Sequence, residues 1–354
     1  MSGGESRARR LLQPVRDYAR ELATTWSRGW ARFWFSPADP VTLAAIRICT
    51  GLVLLYVHAS YTPDLLEHVG PHARIDETAI DSLRAILRDV VGPDGVTRRD
   101  LWTGTASVWF HVTDPTVIRL LHGVFLAAIL CFTLGLFTRT ASVLVWAGNL
   151  SFVQRGYMIS FGLDAITAML TLYLMLGPSG QALSLDQVIA RRRALRRPGP
   201  SGGGSTLPRE SVAANIAIRL IQVHMCIVYL SAGLAKLQGS SWWDGTAVYL
   251  TLMTHDLGRL DMRWIATHDW LWQLVSSGGN VFTIALEVGF VFLVWHRLLR
   301  PLVLSAALVM HAGIALSMGL WTFSAVMLIG CLAFVPPASL RWLLADALPT
   351  ARAR

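Results

Sequence analysis

Charge is scarce in this chain. Only 15% of its 354 residues are Asp, Glu, Lys or Arg, and 53% are hydrophobic. Soluble globular domains carry roughly 25% charged residues, so the composition excludes that class and points to an integral membrane protein. Cysteine is sparse as well. Cys49, Cys131, Cys226 and Cys331 lie in separate apolar runs, a distribution that is neither a disulfide framework nor a zinc pattern and that fits four small core residues. His255 and His268 are far apart in a loop, a weak basis for a metal site, and no metal is expected. A phosphate loop and a G-x-G-x-x-G turn are both missing. The N-terminus lacks a clean apolar core followed by a small-residue cleavage site, so a signal peptide is not expected. No internal repeat is visible, which weighs against an inverted-repeat transporter.

What the chain does have is long apolar runs. They predict an all-α polytopic bundle of about eight transmembrane helices, at 41–61, 116–137, 140–153, 161–176, 212–236, 281–295, 302–318 and 321–334. Residues 1–35 read as an amphipathic cytoplasmic segment, with Leu11, Leu12, Tyr18, Leu22, Trp26, Trp30 and Phe33 set among arginines. Residues 36–337 form the transmembrane domain. A basic linker at 184–209, rich in Gly, Pro, Ser and Arg, interrupts it and is expected to be flexible. Residues 338–354 form a cytoplasmic tail. Between the first two runs lie a short amphipathic piece at 77–91 and a turn, Gly92-Pro93-Asp94-Gly95.

The net charge of +9 does not indicate nucleic acid. The arginines of the N-terminal tail, Arg139, the 184–209 linker, Arg297, Arg300 and the C-terminal tail all fall on one side if every run crosses. The positive-inside rule puts that side, and both termini, in the cytoplasm of a multi-pass cell-membrane protein. Lys236 then lies at the outer face.

Few polar residues interrupt the runs, and each has a plain structural reading beside a chemical one. Gln222, Tyr229 and Lys236 fall on one helix stripe that drifts only ~20° per heptad, and Ala232 and Gly233 beside it admit a close helix neighbour. Lys236 either snorkels to the interface beside Trp242 and Trp243 or, shut away from water, works as a base. Asn149, Gln154, Arg155, Gly156, Gly162 and Asp164 cluster between the third and fourth runs. There Arg155 and Asp164 fit a structural ion pair closing a loop, or groups that orient a substrate. His311 and His224 fit helix-to-helix hydrogen bonds, and the helical turn angle points His224 away from Lys236. Glu287 inside an apolar run requires a partner. Lys236, Arg219 and His311 are the candidates.

The run Tyr229-Leu-Ser-Ala-Gly-Leu-Ala-Lys236-Leu-Gln-Gly, followed by Trp242-Trp243-Asp-Gly245, resembles the core motif of the HTTM family, membrane proteins related to vitamin K-dependent γ-glutamyl carboxylase. Three further pieces agree: Gly135-Leu-Phe-Thr-Arg139; Gly162-Leu-Asp164 with Gly177-Pro-Ser-Gly-Gln-Ala-Leu-Ser-Leu-Asp186; and His311 ahead of Leu320-Trp-Thr-Phe-Ser, ending in Phe334-Val-Pro-Pro337. Together they span residues 35–337 in order. The resemblance implies that Lys236 is the base that deprotonates reduced vitamin K, with His311 near the same centre. In the carboxylase oxygen then adds, the strong base so formed removes a γ-proton from a glutamate side chain, and the carbanion takes up carbon dioxide. The departures are local. Ala235 stands where the carboxylase has a second lysine, and Gln154–Arg155 where it offers a histidine. The chain is also expected to lack the large lumenal domain that grips a protein substrate.

These residues predict an outward-opening cavity between the third, fifth and seventh helices. The leading expectation is a carboxylase-like or lipid-quinol-dependent redox enzyme. Lys236 and His311 are its catalytic residues, with Arg155, Asp164, Tyr229 and Glu287 structural or substrate-orienting. A reduced, vitamin K-like quinone or another membrane lipid is the expected partner, with no metal and no nucleic acid; a peptide or protein substrate is left open. The alternative is a non-enzymatic membrane protein, either a transporter or a factor for maturation or export of a small peptide, in which Glu287 and Asp164 serve binding or proton movement.

Overall fold

Local signals in the sequence set where the helices start and stop. Asp114 accepts from the backbone N–H groups of Thr116 and Val117 and so caps a helix whose first residue is Pro115. Gly135 ends that helix in the left-handed region at φ 69°. Ser211 caps the longest apolar helix by accepting from Ala214 N–H.

In the computed structural model, which describes residues 2–74, 90–91, 97–98, 107–196, 209–253 and 263–343, the main helices in chain order are α1 (Ser2–Phe35), α2 (Val41–Ser60), α3 (Pro115–Leu134), α4 (Thr138–Arg155), α5 (Gly162–Leu176), α6 (Leu185–Leu195), α7 (Val212–Lys236), α8 (Gly279–Leu293), α9 (Arg300–Met318) and α10 (Trp321–Cys331). The one strand pairing among the described residues is a two-residue antiparallel ladder, Val90–Val91 with Thr97–Arg98. The rest of the amphipathic piece at 77–91, the turn at 92–95, residues 197–208 of the basic linker, His255 and the tail beyond 343 lie outside the described residues.

The architecture is an all-helical bundle in which, among the described residues, five helices are long and apolar enough to cross a membrane: α2, α3, α7, α9 and the Asp269–Leu293 rod that contains α8. The remaining three expected crossings fall short of that test. α5 has 15 residues, α4 carries Arg139, Asn149 and Arg155 within 18 residues, and Trp321–Phe334 bends by 117° into Pro337–Leu343. α2 is the axis, with 61% of its span buried, against 22% for α9. That contrast leaves Leu302, Leu308, Val309 and Leu316 of α9 exposed, where the surroundings of a spanning helix are lipid tails.

A polar knot fixes one end of the bundle. Arg47, fully buried in α2, donates to Ser179 O and Leu183 O, each at 2.5 Å. Asp186 accepts from Phe137 N–H, Thr138 N–H and the Thr138 hydroxyl at 2.7–2.9 Å, and its own N–H donates to Gly135 O. A Cβ on Gly135 would lie 2.4 Å from Ser184, so only glycine lets the two segments meet. The Gly135–Arg139 and Gly177–Asp186 motifs are thus one structural device. The first part of the 184–209 linker is α6, capped by Ser184, which accepts from Gln187 N–H.

The C-terminal end of α1 is bolted to the bundle. Asn215 donates to Phe33 O and Trp34 O, and Arg219 lies 4.3 Å over the Phe33 ring. Tyr18, Leu22, Trp26 and Trp30, four residues apart on one face, are exposed.

Candidate functional site

α7 carries the stripe read from the sequence, but its members do different work. Gln222, deep in the bundle, donates to Ala333 O at 2.7 Å and accepts from Arg219 at 2.9 Å. Two turns further on, the Tyr229 hydroxyl sits 2.9 Å from His311 Nε2 on α9 and 3.7 Å from Cys331 Sγ. Its ring stacks on Phe290 of α8 at 4.1 Å and 13°. A further two turns on, Lys236 Nζ donates to Glu287 Oε1 at 2.9 Å. Of the three candidate partners for Glu287, the structure selects Lys236. Arg219 is taken up by Phe33 and Gln222, and His311 by Tyr229.

Gly233 makes that pairing geometrically available. A Cβ there would meet Val288 Cγ2 at 2.8 Å and Glu287 Cβ at 3.1 Å. The glycine therefore lets α8 press against α7 one turn before the lysine. The lysine side chain is 25% exposed and the glutamate 8%, so this pair is largely withdrawn from water rather than a solvated surface contact. Trp242 covers it, with Nζ 5.4 Å from the ring centre. Lys236 is also the only lysine in the sequence.

The pair opens onto a cavity of about 620 Å³, within the ~300–1,000 Å³ typical of small-molecule sites. α5, α7, α8, α9 and α10 all contribute walls, and the lining is mostly apolar, including Ile166, Phe282, Met310, Ile314 and Phe323. The third sequence-predicted helix, α4, contributes none of it. Its polar face is turned the other way, into a smaller cavity. Among the described residues, two polar atoms on the large cavity's walls are buried without a hydrogen-bond partner: Glu287 Oε2 and His311 Nδ1. Val309 and Phe282 line the same space yet are 65% and 40% exposed, so the cavity reaches the flank of the bundle.

Neither a protein-family model, nor a curated protein, nor a solved structure matches this chain.

Arg155 and Asp164 lie away from Lys236. Both line a cavity of about 130 Å³ on the other side of the first turn of α5. Among the described residues the structure shows no Arg155–Asp164 ion pair where the sequence suggested one closing the loop. Asp164 turns back to accept from Phe161 N–H at 2.9 Å, capping its own helix. Arg155 donates to Gly70 O and lies 5.3 Å over Phe110. Asn149 links this cavity's wall, with Oδ1 3.5 Å from His58 Nε2 and Nδ2 donating to Thr167 at 3.3 Å. His224 bonds the Tyr173 hydroxyl at 3.0 Å and stays out of the large cavity. The sequence reading passed over His58 and Arg47. Both interrupt the first apolar run, and that interruption is the same signal that drew attention to Glu287.

Proposed function

We propose that the chain is an HTTM-like integral membrane enzyme of about eight crossings, with its basic segments and termini in the cytoplasm, that deprotonates a lipid-soluble hydroquinone in the large cavity. The observation that carries this reading is the buried Lys236–Glu287 pair at the wall of a mostly apolar space large enough for a ring and part of a tail. Such a space takes a flat apolar molecule, and the one strongly basic side chain on its wall is where a hydroxyl proton is removed. The quinol supplies the electrons for reaction with oxygen. Lys236, once it has passed its own proton to Glu287, removes the hydroxyl proton, and the ammonium so restored stands beside the anion as its counter-charge. Tyr229 and His311, bonded to one another across α7 and α9, hold the ring's far side and offer a route for a proton away from the site. The exposed Tyr18–Trp30 stripe among arginines supports a placement of α1 along the cytoplasmic membrane surface. The apolar lining favours this reading over a transporter, whose path needs polar walls reaching both faces.

Purified protein is mixed with a reduced naphthoquinone under oxygen, and epoxide is measured. The expected outcome is turnover that falls by roughly 10²-fold or more in Lys236→Ala, the usual scale for loss of a positioned base. Equal epoxide from Lys236→Ala rejects the role given to that lysine.

A further inference from the structure

Glu287 does more at this wall than neutralise a cation. Its Oε1 accepts from Lys236 at 2.9 Å, while Oε2 is buried and has no partner. A carboxylate can accept on both oxygens, and an unused buried acceptor is costly to leave unmet. Around the pair stand Trp242 over the amine, Tyr229 on α7 and His311 on α9, with Cys331 of α10 behind Tyr229. Among the described residues, no further carboxylate or ammonium lines the cavity. The wall therefore offers a satisfied cation with no net charge to share, beside one acceptor oxygen waiting for a donor.

This combination distinguishes between two kinds of lipid. A lone ammonium in an apolar cavity would draw in the carboxylate of a fatty acid. Here that anion would meet Glu287 Oε2, and like charges brought together out of water cost several kcal/mol. An uncharged hydroxyl donates to the same oxygen and leaves nothing unpaired. We propose that Glu287 is the specificity-determining residue of the cavity, admitting an uncharged, hydroxyl-bearing aromatic lipophile and excluding lipid carboxylates. The proposal rests on the reading that the cavity is a ligand site, and it concerns what the site accepts, not the reaction that follows.

Because Lys236 is the only lysine, its acetylation by acetic anhydride reports a single side-chain amine, with the chain's own α-amino group as internal control. Full-length protein in lipid nanodiscs is acetylated with and without 1-naphthol or palmitate, and the mass of the Lys236 peptide is followed. Naphthol is expected to slow acetylation of the wild type, and palmitate to leave it unchanged. In Glu287→Gln palmitate is expected to protect at least about tenfold better than in the wild type, the scale of a removed like-charge contact. Glu287→Asp keeps the wild-type preference. Glu287→Met removes the charge with a different shape and gives the same reading if the glutamine variant does not fold.

Palmitate protection of wild type and Glu287→Gln within a factor of about two, well short of the tenfold step, overturns the proposal while leaving the cavity as a ligand site. Failure of both ligands to protect any form overturns the ligand-site reading and this inference together. The expected switch in preference, found with no epoxide activity, upholds the inference and rejects only the quinol chemistry.

Discussion

Single residues in this chain were legible wherever a polar side chain broke an apolar run, because burial of such a group demands a partner. Glu287 and Lys236 stood out on that ground, but sequence alone left three partners for the glutamate, and only the packing of α8 on α7 selects one. Asp164 shows the converse. Its position near a run's end suggested an ion pair or a substrate-orienting group, and the local geometry instead makes it the cap of its own helix. Asp186 was noted only as part of a motif, since nothing in the pattern places Phe137 and Thr138 against it. Burial alone would raise its pKa, but the donors from Thr138 and Phe137, aided by Arg47, outweigh that and hold it below the ordinary carboxylate value. A carboxylate lowered on folding stabilises the protein above its unfolded pKa, and that contribution is lost as pH falls through the folded pKa. Asp186→Asn should therefore lower thermal stability at neutral pH, by about 1 kcal/mol after allowance for partial exposure. The difference from wild type should shrink once the medium is acid enough to protonate Asp186. Melting curves at pH 7 and in acid check this; an undiminished difference in acid removes the ionic explanation.

At the scale of elements, the apolar runs gave the helices and their order, because length and hydropathy are properties of contiguous sequence. They did not give the neighbours. The cavity was expected beside α4, yet α4 faces the smaller cavity and α8 and α10 stand in its place. Helix adjacency depends on small residues at crossing points, and these are read only once the partner is known. Gly233 is the crossing point that matters most, since any Cβ there would press on the segment carrying Glu287. Gly233→Val is expected to move α8 outward and part the ion pair. Acetylation of Lys236 in the unliganded protein should then rise several-fold, as a paired amine becomes free. Unchanged acetylation in a folded variant would mean that the close contact is not what sets the pair.

For the whole molecule, composition pointed to a helical bundle with membrane-spanning elements before any contact was known, since 15% charged residues is well below the roughly 25% typical of soluble domains. The number of crossings was less legible: α4, α5 and α10 are too polar, too short or too bent to be counted on length and hydropathy alone. What the assembled bundle adds is enclosure. Five helices converge to wall one space, and the chain's sole lysine sits at its edge with a carboxylate on the facing helix. The most direct test is a structure of the full chain in lipid nanodiscs with a reduced naphthoquinone, determined by electron cryo-microscopy. The account predicts ring density among Phe282, Phe323 and Tyr229, with an oxygen within hydrogen-bond reach of Lys236 and Glu287. Density for the ring elsewhere, with the Lys236 amine turned out to solvent and the cavity closed, would contradict it.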